Sequence, residues 1–237
     1  TGSMGEVMEG RSAKQLLEDW IQELEVSLGS AAISAENKAA KQGKSKKQKQ
    51  GGGKAPATQP GKAQQAGAES DEPIAKLDIR VGRIVEAWEH PDSEKLFCER
   101  IDFGGGEVRN IASGLRAFYK LEDLQDRLVV VMYNLKARPL GGFKSEGMVL
   151  CASDEAHSHV VFLDPPAGAE IGEQVTFPGI QTNPVSPAQV QKKKVLEACF
   201  PHLRIGSDGK AEYKGIPFTV EGRGVCTASV AEGYAVS

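Results

Sequence analysis

LDIRVGRIVEA, residues 77–87, is the stretch on which the reading of the fold turns. Leu77, Ile79 and Val81 alternate with Asp78, Arg80 and Gly82, and the apolar series continues through Ile84 and Val85. A period of two, rich in β-branched residues, predicts a long half-buried strand, with Gly82 as a bend. Downstream, residues 96–103 and 108–112 predict two more strands, and Gly104-Gly105-Gly106 between them makes the pair a hairpin. Residues 121–126 suit a short helix, residues 127–134 and 147–152 are strongly strand-like, and 160–163 and 174–177 supply closing pieces.

Several short strands and one short helix within residues 73–179 predict a mainly β protein built as a small Greek-key barrel. The five-stranded oligonucleotide/oligosaccharide-binding barrel, the OB-fold, is the best-known solution of that size, and the spacing also admits an SH3-like barrel. Residues 178–187 (PGIQTNPVSP) are a Pro-rich connector. Beyond it, 188–200 reads as a helix and 211–220 and 224–230 as strands. Residues 180–237 are too few for a core of their own, so they are expected to pack on the barrel as a small C-terminal α+β subdomain.

The net charge of -3 conceals a patterned chain. Residues 1–36 carry -5, residues 37–72 +5, residues 73–179 -5 and residues 180–237 +2. Between Asn37 and Ala68 stand eight lysines and no acid, Lys41, Lys44, Lys46, Lys47 and Lys49 among them. Such a run among Gly, Gln, Ala and Pro builds no core and predicts a disordered basic linker. Its lysines suit sequence-independent phosphate contact, since each neutralised phosphate releases counterions. Upstream, Leu16, Leu17, Trp20, Ile21, Leu24 and Leu28 recur at helical spacing with Gly29 as a stop, so residues 4–36 predict an amphipathic docking helix. Thr1-Gly2-Ser3 looks like a tag-cleavage remnant. The longest apolar run is Leu128–Met132, far below the ~20 residues of a membrane-spanning helix, and no signal core is present, so a cytoplasmic, membrane-free protein is expected. Cys98, Cys151, Cys199 and Cys226 form no C-x-x-C pair and read as small buried hydrophobes.

Five segments in order, LDIRVGRIVEAWEHPDSEKLFCERID (77–102), ASGL (112–115), LQDRLVVVMYNLK (124–136), SEGMVLCAS (145–153) and LDPPAGAEIGEQVTF (163–177), resemble the tRNA-binding domain of the endothelial monocyte-activating polypeptide II family. KKKVLEACF (192–200), EYKGIPFTV (212–220) and GRGVC (222–226) resemble the C-terminal subdomain appended in eukaryotic members. That family's domain forms the tail of some tyrosyl- and methionyl-tRNA synthetases and occurs in auxiliary cofactors of multisynthetase complexes. The resemblance implies a non-catalytic, largely sequence-independent tRNA binder that delivers tRNA to an aminoacyl-tRNA synthetase in cis or in trans, with a basic stretch adding affinity. It further implies a barrel that needs no dimer, leaving self-association or synthetase docking to the N-terminal helix. Two alternatives accompany it: a released cytokine-like polypeptide, since RVGRIVE (80–86) is similar to the segment linked to that activity, and a scaffold working through the N-terminal helix.

The family's tRNA-contacting loop corresponds to NLKARPLGGFKS (134–145), which nominates Asn134, Lys136, Arg138, Phe143, Lys144 and Ser145. Relatives place an arginine where this chain has Gly141, a departure that leaves the charge to Arg138 or Lys144. Barrels of this class bind through one sheet face with basic and aromatic groups, which adds Arg80, Arg83, Lys95, Arg100 and Arg109, with Asn110 and Ser113 as polar partners. Lys192, Lys193 and Lys194 form either a second basic patch or a polar helix start. Catalysis is not indicated: phosphate-loop and nucleophile-elbow motifs are absent, His90-Pro91-Asp92 reads as a turn, and His157 and His159 make an incidental metal site at best. No cofactor and no metal are expected.

Overall fold

The computed structural model describes residues 71–237. The predicted N-terminal helix and all the linker lysines lie outside those residues. Strands β1 (Ile79–Glu89), β2 (Phe97–Asp102), β3 (Val108–Ser113) and β4 (Leu128–Met132) are followed by the hairpin β5 (Arg138–Leu140) and β6 (Phe143–Ser145), then β7 (Met148–Val149). Five of them form an antiparallel sheet in the order β3-β2-β1-β4-β7.

Strand β1 serves two partners: residues 79–83 pair with β4 and residues 83–89 with β2, with a register shift between Ile84 and Glu86. A bulge of this kind bends a long strand, and the bend curls the sheet toward closure. Gly82 is needed for a different reason from the predicted bend. A Cβ there would stand 2.5 Å from Ile101 Cγ2, so glycine lets a β2 side chain cross the β1 backbone. The circuit is nearly completed between β3 and the chain around β6: the Glu146 N–H donates to the Asn110 carbonyl (2.8 Å), and the Ala112 N–H to Ser145 Oγ (3.1 Å).

Two apolar clusters explain why 128–132 reads as an unbroken apolar run. Val129 and Val131 enter the barrel interior with Ile84, Phe97, Ile101 and Ile111. Val130 and Met132 face the other way, against Leu203, Ile205, Tyr213 and Phe218 of the C-terminal subdomain. A strand covered on both faces loses its polar alternation. The same cover takes in Ile79 and Val81 of β1.

The remaining elements are β8 (Cys151–Ser153), β9 (Val160–Phe162), β10 (Val175–Thr176), helices α1 (Pro187–Lys192) and α2 (Val195–Cys199), and β11 (Leu203–Ile205), β12 (Ala211–Tyr213), β13 (Ile216–Pro217), β14 (Thr219–Val220), β15 (Gly224–Val225) and β16 (Ala235–Val236). A six-stranded sheet ordered β13-β12-β11-β16-β8-β9 stitches the C-terminal segment to the barrel chain.

Several predicted elements change form. The strand expected over 147–152 splits at Leu150, because β7 joins the barrel sheet and β8 the six-stranded one. The strand expected over 211–220 folds into three short pieces, turned at Lys214 (φ 51°) and Gly215 (φ 79°). The helix expected over 121–126 is a single 3-10 turn at Leu121–Asp123. The helix expected over 188–200 breaks at Lys193 and Lys194 into α1 and α2.

Candidate nucleic-acid interface

The outward face of β1, β2 and β3 is organised by cross-strand pairs. Arg100 stands opposite Asn110 on β3 and Glu86 on β1, and its guanidinium bonds Glu86 at 2.9 Å. Beyond β3, Glu146 Oε2 accepts from the Asn110 N–H (3.3 Å), and Lys144 Nζ bonds Glu146 Oε1 at 2.6 Å. Arg100, Asn110 and Lys144 thereby share one exposed strip, with two carboxylates interleaved. The Lys144 ammonium beside Glu146 holds that carboxyl below the usual carboxylate range, so both partners stay charged.

At one end of this strip Phe143 is half-buried, edge-on to Trp88 (centroids 5.8 Å apart) and to His90 (6.4 Å). Trp88 was not anticipated, although it lies two residues from Glu86 and so on the same strand face. His90 is buried, accepts the Asp92 N–H at Nδ1 (3.1 Å) and bonds the Leu140 carbonyl through Nε2 (3.2 Å), which makes the predicted turn a docking post for the β5–β6 hairpin. The absent arginine finds its explanation here. Gly141 has φ 56°, and a Cβ on it would meet His90 Cε1 at 2.7 Å. The two-residue turn Gly141-Gly142 needs positive φ at both positions and lies against an imidazole, so this hairpin has no room for a side chain there.

A second group forms around Tyr133, which sequence reading missed. The Arg80 and Arg109 guanidinium carbons lie 4.2 and 3.4 Å from its ring centroid. Arg80 binds Asp78 through two 2.9 Å hydrogen bonds, and the bonded Asp78 raises the guanidinium pKa. Arg109 binds Glu107 at 2.9 and 3.0 Å and donates to the Tyr133 carbonyl at 2.6 Å. The Tyr133 hydroxyl donates to Glu107, and this bond, ahead of Arg109, lowers the Glu107 carboxyl pKa. Arg83 is not part of this group. It is exposed and reaches the Asp126 carbonyl at 3.3 Å, so Gly82 does not unite it with Arg80.

Four predicted ligand groups are framework instead. Asn134 is buried, accepts the Asp78 N–H (2.8 Å) and donates to the Lys76 and Val185 carbonyls (2.9 Å each), which ties β4 to the connector. Ser145 is buried beneath the strip, between the Ala112 N–H and the Gly147 carbonyl. Ser113 donates to Glu99 inside the barrel. Arg109 is held by Glu107 and two main-chain carbonyls. Hydrogen-bond capacity already satisfied inside the protein is not open to a ligand without loss of those bonds.

Lys95 and Lys136 are exposed, and their ammonium groups have no partner among the described residues. Arg138 is half-buried at the start of β5. Glu99 is fully buried; burial pushes its carboxyl up to about 7 against the opposing bond from Ser113, and its Oε2 lacks a partner. All four cysteines are buried and free, and desolvation pushes the Cys199 and Cys226 thiols up to about 12. His157 and His159 are exposed, and His159 Nδ1 lies 3.3 Å from the Tyr234 hydroxyl. Among the described residues no cluster of three or more His, Cys, Asp or Glu could hold a metal ion, and no helix is long and apolar enough to cross a membrane.

A nearly closed five-stranded antiparallel barrel with a polar strip on its open face and a covering subdomain behind it defines an OB-type nucleic-acid-binding domain. Residues 79–174 match the family described as "Putative tRNA binding domain". Among curated relatives, a cytoplasmic methionine–tRNA ligase of Arabidopsis thaliana is 42% identical over 186 residues, covering 78% of this chain and 22% of the relative. The aminoacyl tRNA synthase complex-interacting multifunctional protein 1 of Mus musculus is 40% identical over 173 residues, covering 70% of this chain and 54% of the relative. The crystal structure of the C-terminal domain of Plasmodium vivax p43 superposes with a TM-score of 0.64 at 34% identity, covering 70% of this chain and 99% of that one. The chain belongs to the tRNA-binding domain family of the endothelial monocyte-activating polypeptide II type. It spans about half or less of the length of these two curated relatives.

Proposed function

We propose that the protein is a non-catalytic tRNA-binding factor that brings tRNA to an aminoacyl-tRNA synthetase in the cytoplasm. The observation that carries this reading is the strip of Arg100, Asn110 and Lys144 across β2, β3 and β6, ending at the Phe143–Trp88 pair. Cations spaced along a sheet face meet a phosphate backbone, Arg100 and Lys144 exchanging the solvent-facing pairs with Glu86 and Glu146 at small cost, and the aromatic pair offers a stacking surface for an unpaired base. Arg83, Lys95, Lys136 and Arg138 are further backbone contacts in this reading. The lysines at 41, 44, 46, 47 and 49 supply bulk electrostatic affinity from the tether, raising the effective concentration of tRNA at a bound synthetase. The synthetase partner rests on the likeness to a methionine–tRNA ligase and to a synthase complex-interacting protein.

The test is binding of unfractionated tRNA, duplex RNA and single-stranded RNA across a salt series, for the full chain and for a chain starting at Ser70. Retained tRNA preference with a shallower salt slope in the shorter chain supports recognition by the barrel. A shorter chain that binds nothing, beside a full chain that binds every polyanion equally, would move all RNA affinity to the tether and reassign the barrel to protein contacts.

A further inference from the structure

The break between α1 and α2 gives the three consecutive lysines a geometry that a continuous helix would deny them. In an unbroken helix Lys194 follows Val190 by four positions, and so would sit above it on the core face. Val190 and Val195 are 3% exposed and Cys199 0%, so that face is closed. Instead, Lys193 caps α1, and Lys194 takes the left-handed conformation (φ 50°, ψ 42°) before α2 begins. The turn moves Lys194 out of the core, and Lys192, Lys193 and Lys194 are all exposed at the corner where the two helices meet. A non-glycine residue in this conformation is strained, which points from the outlier to a use for the corner.

The surroundings reinforce the charge. None of the three lysines has a side-chain partner among the described residues. Glu197 is the sole acid within four positions of them in the sequence. Helix α2 packs on the 3-10 turn Pro73–Lys76, which brings in Lys76; Lys214, its partner Glu72 and Lys76 all act on the Cys199 thiol, so Lys76 is the cation this neighbourhood adds beyond the Lys214–Glu72 pair. Glu72, the acid beside this turn, is bonded to the Tyr213 hydroxyl and to Lys214 at 2.8 Å each. Among the described residues the large exposed apolar side chains, Val85, Val108 and Phe118, all lie outside the corner, so no apolar wedge of a membrane-inserting surface stands there.

We infer that the α1–α2 corner is a second RNA-backbone contact, separate from the barrel strip, in which Lys192, Lys193 and Lys194 meet phosphates of the same tRNA. This inference rests on the proposed tRNA binding. It lies outside residues 79–174, the segment matched to the family. Each lysine–phosphate contact contributes about 0.7–0.9 to the slope of log affinity against log salt.

The experiment compares the full chain with the triple variant Lys192→Gln, Lys193→Gln, Lys194→Gln, and with the triple Lys→Arg variant, using unfractionated tRNA across a salt series. Thermal melts check folding. The expected result is a slope shallower by about 2 in the Gln variant and restored in the Arg variant, with unchanged melting. An unchanged slope in the Gln variant overturns the inference while wild-type binding leaves the tRNA reading standing. Wild-type protein that binds no tRNA overturns both. Loss of binding to phosphatidylserine vesicles with an unchanged tRNA slope would make the corner a lipid contact instead.

Discussion

The barrel and the α1–α2 corner use positive charge in opposite ways. Residues 73–179 carry 12 basic and 17 acidic side chains. Five of the arginines there are ion-paired: Arg80 with Asp78, Arg100 with Glu86, Arg109 with Glu107, Arg116 with Glu89 and Arg127 with Asp164. The corner carries three lysines and no ion pair among the described residues. A guanidinium has a planar fork that carboxylates can orient, whereas an ammonium is a hydrated point charge on a flexible stem. An exposed ion pair such as Arg100–Glu86 contributes only about 0–1 kcal/mol, so it fixes geometry more than it stabilises. The difference teaches that the proposed tRNA surface combines preorganised, ion-paired cations on the strip with unpaired lysines at the corner.

The sharpest challenge to this division is Asn134, a framework group lying where the family resemblance expects a ligand. Asn134→Ala strands the Asp78 N–H and the Lys76 and Val185 carbonyls, and a loss of about 4 kcal/mol in urea unfolding is expected. Below the melting temperature its tRNA affinity should match wild type; weaker binding at unchanged stability would return Asn134 to the interface.

Next in size is the buried carboxyl of Glu99, whose surroundings contrast with the ion-paired acids of the strip. Burial pushes it up to about 7 from the ordinary carboxyl value of about 4.5, so the folded state holds the proton that the unfolded state releases. Stability from this group is therefore full below pH ~4.5, falls as pH rises, and is gone above about 7, a change of about 3 kcal/mol. Glu99→Gln should flatten that profile and melt higher than wild type at alkaline pH; parallel pH profiles for the two proteins would contradict the buried neutral acid.

Gly141→Arg introduces the residue that the family resemblance implies at this position. At φ 56° and against His90 it should cost about 1–2 kcal/mol, read as a lower melting temperature. If the variant is instead as stable as wild type and binds tRNA more tightly, the hairpin is less closely docked on His90 than the structure shows. The smallest effect belongs to Arg100→Gln, which removes one exposed pair. Stability should change by less than about 1 kcal/mol, while the salt slope for tRNA becomes shallower by about one unit. An unchanged slope would remove Arg100 from the backbone contacts.

Much of the barrel was legible because its strands are long enough to show a period. Residues 77–87 alternate, 104–106 are glycines that only a turn needs, and both hairpin strands emerge within one residue of expectation at each end. The C-terminal strands were legible only as two blurred runs, because two- and three-residue strands such as β13 and β15 have no period to read. The candidate site was legible as residue types and not as roles. Arg100, Asn110 and Lys144 look no different in sequence from Arg109, Ser113 and Ser145, yet the first three face outward and the others close the barrel. Trp88 and Tyr133 carried no local signal, since what distinguishes them is the partner each meets across the fold.

By itself the sequence determined that a small β barrel is built around the strand at 77–87, that the chain belongs to a tRNA-binding family, and that positive charge is concentrated before that strand. Those conclusions depend on periodicity, composition and ordered motifs, which are properties of neighbours along the chain. Tertiary structure alone decided which cations are paired, that β4 is covered on both faces, that Gly141 excludes a side chain, and that Lys194 turns out of the core. Each of these depends on groups far apart in sequence meeting at a few ångströms, where sterics and hydrogen-bond satisfaction take over from local preference.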